Sequence, residues 1–145
     1  MARIEESIEI KCPVDKAFAY TTDAESWPKW QSILPEAEKT SQGAVGVGTT
    51  FKGTVHMMGL SMKWTAKATE YEPNRNFGKN ITSVGMIVKQ HNTYDSIEGR
   101  VKFTIAYDMK VRGLFKVFSP MLVSTMRKEL KKSLSNVKNI LDAQT

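Results

Sequence analysis

The chain has 145 residues, of which 41% are hydrophobic and 25% charged, with a formal net charge of +6. These values fit one globular domain with apolar material for a single core, and no run approaches the ~18 consecutive apolar residues of a membrane span. The start, MARIEESIEIK, lacks the apolar stretch of a signal peptide, and the single Cys12 excludes an intrachain disulfide and fits a cytoplasmic setting.

Residues 2–11 alternate apolar and polar, with Ile4, Ile8 and Ile10 on one parity, which predicts a half-buried strand. Glu6 interrupts that row, so the strand either lies at an edge or turns Glu6 into a polar pocket. Pro13 opens a short helix, PVDKAFAYTT, with Val14, Ala17 and Phe18 inward. Asp23 is placed to cap a second short helix, DAESWPKW, which Pro28 shortens or kinks.

A weak strand is expected over 34–41. The Gly-rich GAVGVGTT lacks the Lys-Ser/Thr ending of a phosphate loop and reads as a turn into the next strand. There, Phe51, Gly53, Val55 and Met57 share one parity. After Met58-Gly59 the apolar row resumes at Leu60, Met62, Trp64, Ala66 and Ala68. A two-residue loop pairs Met57 with Leu60 and Val55 with Met62, so both rows fall on one face.

EPNRN reads as a turn and NFGKNITS as a strand of open register. Strands are expected over 87–95 and 100–112, the latter alternating through Val101, Phe103, Ile105, Tyr107, Met109 and Val111. Closing this hairpin through SIEG pairs Tyr94 with Val101, Asn92 with Phe103, Gln90 with Ile105 and Val88 with Tyr107. A slip of one residue would instead bury Lys89, which is unfavourable.

From Leu114 the period changes to about 3.6. Phe118, Leu122, Met126, Leu130, Leu134, Val137 and Leu141 form one apolar stripe, with regular helix expected from Ser119. Lys128, Lys131, Lys132 and Lys138 lie off that stripe and read as a solvated face. No aromatic residues interleave with them as base-stacking platforms, so nucleic acid is not an expected partner.

The order is therefore strand, two short helices, further antiparallel strands and a long helix. A sheet with one apolar face must bury it, and the last helix is the element of matching length. The predicted fold is α+β: a curved antiparallel sheet of six or seven strands around the C-terminal helix, in one domain over 1–145.

The run IEIKCPVDKAFAYTTD, the segment DAESWPKW, then GVGTTFKG and the final LKKSLSNVKNILD, in this order, resemble the START-like superfamily, and within it the polyketide cyclase/dehydrase and lipid-transport group. The resemblance covers nearly the whole chain. It implies a helix-grip fold with a cavity between sheet and helix that holds lipids, sterols, quinones, hormones or polyketides. A minority of relatives catalyse cyclisation or dehydration. No shared catalytic motif maps onto this sequence, so no catalytic residue is assigned.

Such cavities are typically ~300–1,000 Å³ and mostly apolar, with a few orienting polar groups. The inner parity supplies walls at Phe51, Val55, Met57, Met62, Trp64, Val88, Phe103 and Ile105, and the helix adds Phe118, Met121, Leu122 and Met126. Gln90, Asn92, Tyr94 and Tyr107 supply polarity. Each wall residue taken singly also reads as ordinary core. The two amides are more telling, since each would cost roughly 1–3 kcal/mol if buried unpaired.

The expected function is binding or carriage of a small hydrophobic molecule. A cyclase or dehydratase in the same cavity, and a pocketless module acting through its basic helix, are the alternatives. His56 and His91 fall on the outward parity, away from Cys12, which leaves neither a nucleophile–base pair nor a zinc ligand set. No metal or cofactor is expected. Trp27 and Trp30 either cover the core or, if exposed, line the cavity mouth or touch a membrane surface. The oligomeric state is left open.

Overall fold

In the computed structural model, residues 2–144 are described. Seven strands form one antiparallel sheet in the order β1-β7-β6-β5-β4-β3-β2. They are β1 (Ala2–Ile10), β2 (Glu36–Lys39), β3 (Thr50–Met57), β4 (Leu60–Glu72), β5 (Asn76–Ser83), β6 (Met86–Ile97) and β7 (Arg100–Val111). Between β1 and β2 lie α1 (Val14–Thr22), a 3-10 turn (Ala24–Ser26) and α2 (Trp27–Trp30). A second 3-10 segment (Gly113–Phe118) leads into α3 (Ser119–Asp142). This is the helix-grip arrangement.

The alternating sequence explains the sheet. In β4, Met62, Trp64, Ala66 and Ala68 are buried while Lys63, Thr65 and Lys67 are exposed, as one-sided burial requires. β1 pairs only with β7, so Glu6 belongs to an edge strand. The β3–β4 loop is the two-residue Met58-Gly59, both left-handed at φ 53° and 78°, which fixes Met57 opposite Leu60 and Val55 opposite Met62.

The β6–β7 hairpin corrects the sequence reading. Its loop is the two-residue Glu98-Gly99, with φ 40° and 80°, rather than the four residues SIEG. Tyr94 therefore faces Phe103, Asn92 faces Ile105, Gln90 faces Tyr107 and Val88 faces Met109. The slip is two residues, so the inward set is unchanged. The loop was hidden because Glu, unlike Asn or Gly, gives no sequence sign of a left-handed residue.

On α3, Leu122, Met126, Leu130, Leu134, Val137 and Leu141 are buried, each contributing on the order of 1.5–3 kcal/mol. Met121 is corrected: it is 58% exposed. Phe118, on the 3-10 segment rather than the helix, is half exposed. The basic face holds Lys128, Lys131 and Lys132 in solvent, but Lys138 bonds the Glu9 carbonyl at 3.1 Å and Asp142 at 2.7 Å. No helix among the described residues is long and apolar enough to cross a membrane.

Candidate functional site

Register builds the site. Lys79 on β5 faces Gln90 on β6, and Gln90 faces Tyr107 on β7. Three polar side chains thus form one inward row across adjacent strands. All three are buried, and all three line a 70 Å³ cavity with Gln31, Val55, Trp64, Val88 and Met126 among its walls. A second chamber of 220 Å³ is lined by Met57, Met62, Phe115, Phe118 and Leu122. Val55 and Met57 share one face of β3, and Leu122 and Met126 are one turn apart on α3. The two chambers therefore follow one another along the same elements.

Lys79 is the residue that sequence reasoning missed. Its Nζ sits 3.3 Å from the Trp27 ring centroid, with Phe51, Trp64 and Phe77 within 5.8–5.9 Å. The ring faces favour the ammonium. Burial opposes it and pushes the amine down to about 7. Among the described residues, no carboxylate pairs with Lys79 and no acceptor takes its hydrogens. The inward parity of NFGKNITS carries Phe77, Lys79, Ile81 and Ser83, so the signal would have been legible had the strand's register been fixed.

The helices after β1 supply the platform. Asp23 accepts from the Glu25 N–H at 3.0 Å, which caps the 3-10 turn. The Trp27 indole donates to the Thr21 carbonyl at 2.8 Å, which orients its ring. Trp27 and Trp30 are each 1% exposed, so they cover the core and the membrane-contact alternative for them is set aside. Gly53 faces Trp64, and a Cβ there would lie 2.6 Å from the indole. The bare backbone lets the ring lie flat in the wall, where its Nε1 hydrogen is buried without an acceptor.

The amides behave differently from one another. Gln90 Nε2 donates to Asn92 Oδ1 at 2.9 Å, which pairs the two. Gln90 borders the cavity and Asn92 does not. Tyr94 is engaged with Thr21 through a 2.6 Å hydroxyl contact and stacks on Phe103 at 4.9 Å. Burial raises both the Tyr94 and Tyr107 phenols, Tyr94 partly offset by its bonds to Thr21 and Asn92. Phe51, Phe103 and Ile105 are at most 1% exposed and are core. Of the sequence-chosen residues, Val55, Trp64, Val88, Gln90, Tyr107 and Met126 border the first chamber, and Met57, Met62, Phe118 and Leu122 the second. Asn92, Tyr94, Phe51, Phe103, Ile105 and Met121 border neither.

The inner chamber is smaller than the volume expected from sequence, because Trp64, Met126 and neighbouring side chains occupy much of the space the sheet leaves. On the outer face, His91 bonds Glu70 at 2.7 Å, remote from these chambers. Among the described residues, no group of three or more His, Cys, Asp or Glu converges on a point.

A seven-stranded sheet gripping one long helix has a counterpart at the level of family. The family model described as polyketide cyclase/dehydrase and lipid transport matches residues 1–142. The chain belongs to this family. Among solved structures, the Zhui aromatase/cyclase from Streptomyces sp. R1128 superposes with a TM-score of 0.86 at 13% identity, covering 99% of this chain and 94% of that one. A START superfamily protein from Mycobacterium smegmatis gives 0.83 at 12%, covering 99% of each chain. A conserved protein from Geobacillus kaustophilus gives 0.77 at 14%, covering 99% and 97%. At these identities the likeness shows the fold alone. No curated protein sequence matches the chain. Membership of the polyketide cyclase/dehydrase and lipid transport family supports, in general terms, a ligand-binding or cyclase role.

Proposed function

We propose that this chain binds and carries a small hydrophobic molecule in the chambers between the sheet and α3. One observation carries the reading: a row of buried polar groups, Lys79, Gln90 and Tyr107, lines a mostly apolar space, and the Lys79 amine in it pairs with no other described side chain. A core filled for stability alone gains nothing from a buried amine without an acceptor, since an unpaired buried polar group costs about 1–3 kcal/mol. The methionines Met57, Met62 and Met126 suit walls that reshape around a guest. The buried free thiol of Cys12 fits carriage in a reducing cytoplasm.

A second reading is favoured by the Lys79 amine, which burial brings to about 7. An amine poised near neutrality can move a proton at an enolisable carbonyl, as a cyclase or dehydratase requires.

Native mass spectrometry of protein purified from its own host tests carriage, and a co-purifying apolar adduct is the expected result. Met62→Trp fills the outer chamber. It should abolish uptake of an apolar dye while leaving the melting temperature nearly unchanged. A loss of roughly 1–3 kcal/mol instead would mean that the space is already occupied. Single substitutions at Lys79, Gln90, Asn92, Tyr94 and Tyr107 separate the two readings. Carriage predicts graded losses of affinity, whereas catalysis predicts collapse of turnover at one or two positions.

A further inference from the structure

We propose that Lys79 recognises the carboxylate head of an amphiphilic ligand whose apolar body runs along β3, β4 and α3 into the chamber under Phe115. This rests on the ligand-binding reading and names the class of guest.

The argument begins with donors. An ammonium carries three hydrogens and no acceptor. Lys79, 4% exposed, finds neither a carboxylate nor a hydrogen-bond acceptor among the described residues. The rings of Trp27, Phe51, Trp64 and Phe77 stabilise its charge from the side but accept no conventional hydrogen bond. The Trp64 N–H, in the same wall, also lacks an acceptor.

The cavity lining thus holds one cation and no carboxylate, the other polar groups being the neutral side chains of Gln31, Ser83, Gln90 and Tyr107. A neutral head such as an alcohol would meet one donor and leave the charge uncompensated. A phosphate would bring about two negative charges to one cation. One carboxylate matches one ammonium, and a charge-assisted bond in a buried site is the strong kind. A cavity of 70 Å³ suits a small head. The 220 Å³ chamber that follows, walled by Met57, Met62, Phe115 and Leu122, suits a hydrocarbon body.

Dodecanoate and dodecanol are matched probes, each measured by displacement of a neutral apolar dye from the full chain. Dodecanoate should bind roughly tenfold or more tightly than dodecanol at or below neutral pH. Lys79→Met, which removes a buried charge at nearly constant volume, should abolish that preference, dodecanoate losing roughly tenfold or more in affinity relative to dodecanol. With wild-type protein, dodecanoate affinity should fall as pH rises through about 7, because the amine deprotonates there while the carboxylate stays ionised. This second measurement stands even if the variant folds poorly. Equal affinity for the two probes, or a preference that survives Lys79→Met, would overturn the carboxylate assignment and leave the ligand-binding reading intact. Failure of both probes to displace bound dye would likewise overturn the carboxylate assignment alone, whereas failure of the dye itself to bind would overturn both.

Discussion

The two ends of the sheet–helix interface are built on different rules. Towards the C-terminus of α3, Leu134, Val137 and Leu141 share the core with Ile10, Val101 and Phe103, all at most 2% exposed. Among the described residues, no polar side chain is stranded there. Towards its N-terminus, Leu122 and Met126 face Met57, Met62 and the Lys79–Gln90–Tyr107 row across open chambers. One helix thus serves as a closed wedge at one end and a cavity wall at the other. Close packing supplies stability, and the end relieved of that duty can hold polar groups and flexible thioethers.

The sharpest way to break this comparison is truncation on each side. Leu134→Ala should cost about 2–5 kcal/mol, since a closed core cannot collapse around the lost atoms. Met126→Ala should cost less, about 2 kcal/mol or below, since one side of that residue already borders a void. Chemical denaturation of both variants checks this, and equal costs would mean that the two ends pack alike.

Lys79 offers the next test. Its folded-state amine lies near 7 and the ordinary value is 10.5. Between these values the unfolded chain binds one more proton than the folded one, so stability rises with pH. The burial penalty is fully present below about 7 and is relieved on going upward. Wild-type stability relative to Lys79→Met should climb by up to ~1.4 kcal/mol per pH unit across that window. A flat difference would mean that the amine keeps its charge against the four rings.

The closed end was almost wholly legible in the sequence. Period-two rows in β1 and β7 and the helical stripe through Leu141 define it, and burial there follows apolarity. The β6–β7 register was misplaced by two residues because Glu98 in a left-handed turn leaves no sequence mark. Parity absorbed the error, so Gln90 and Tyr107 kept their face. The open end was legible only in part. Met121, expected as a cavity wall beside Leu122, lies where α3 has barely begun and is exposed. Lys79 was overlooked because a lysine between Gly78 and Asn80 reads as solvent-facing. Its burial depends on Trp27, which the chain contributes some fifty residues earlier and which no local pattern connects to β5.

The smallest expected effect lies at the far closed end. A carboxylate in the last turn of a helix opposes the helix dipole, so Asp142 needs another reason to be there. Its Oδ1 accepts from the Lys11 N–H at 2.7 Å, and its Oδ2 from Lys138 at 2.7 Å, while Lys138 also reaches the Glu9 carbonyl. This clamp fastens α3 to the end of β1. The Lys138 bond, opposed by partial burial and aided by the Lys11 amide, holds the Asp142 carboxyl below its ordinary value of 3.8. The group therefore contributes stability above that value and loses it as pH falls through the folded one. Asp142→Asn keeps an acceptor for Lys11 but removes the charge. It should cost about 0.5–1 kcal/mol at neutral pH, as partly exposed pairs do. The difference from wild type should vanish in acid, and affinity for dye or dodecanoate should be unchanged. A loss of affinity in this variant would show that closing the wedge sets the width of the chambers, making the two ends one device.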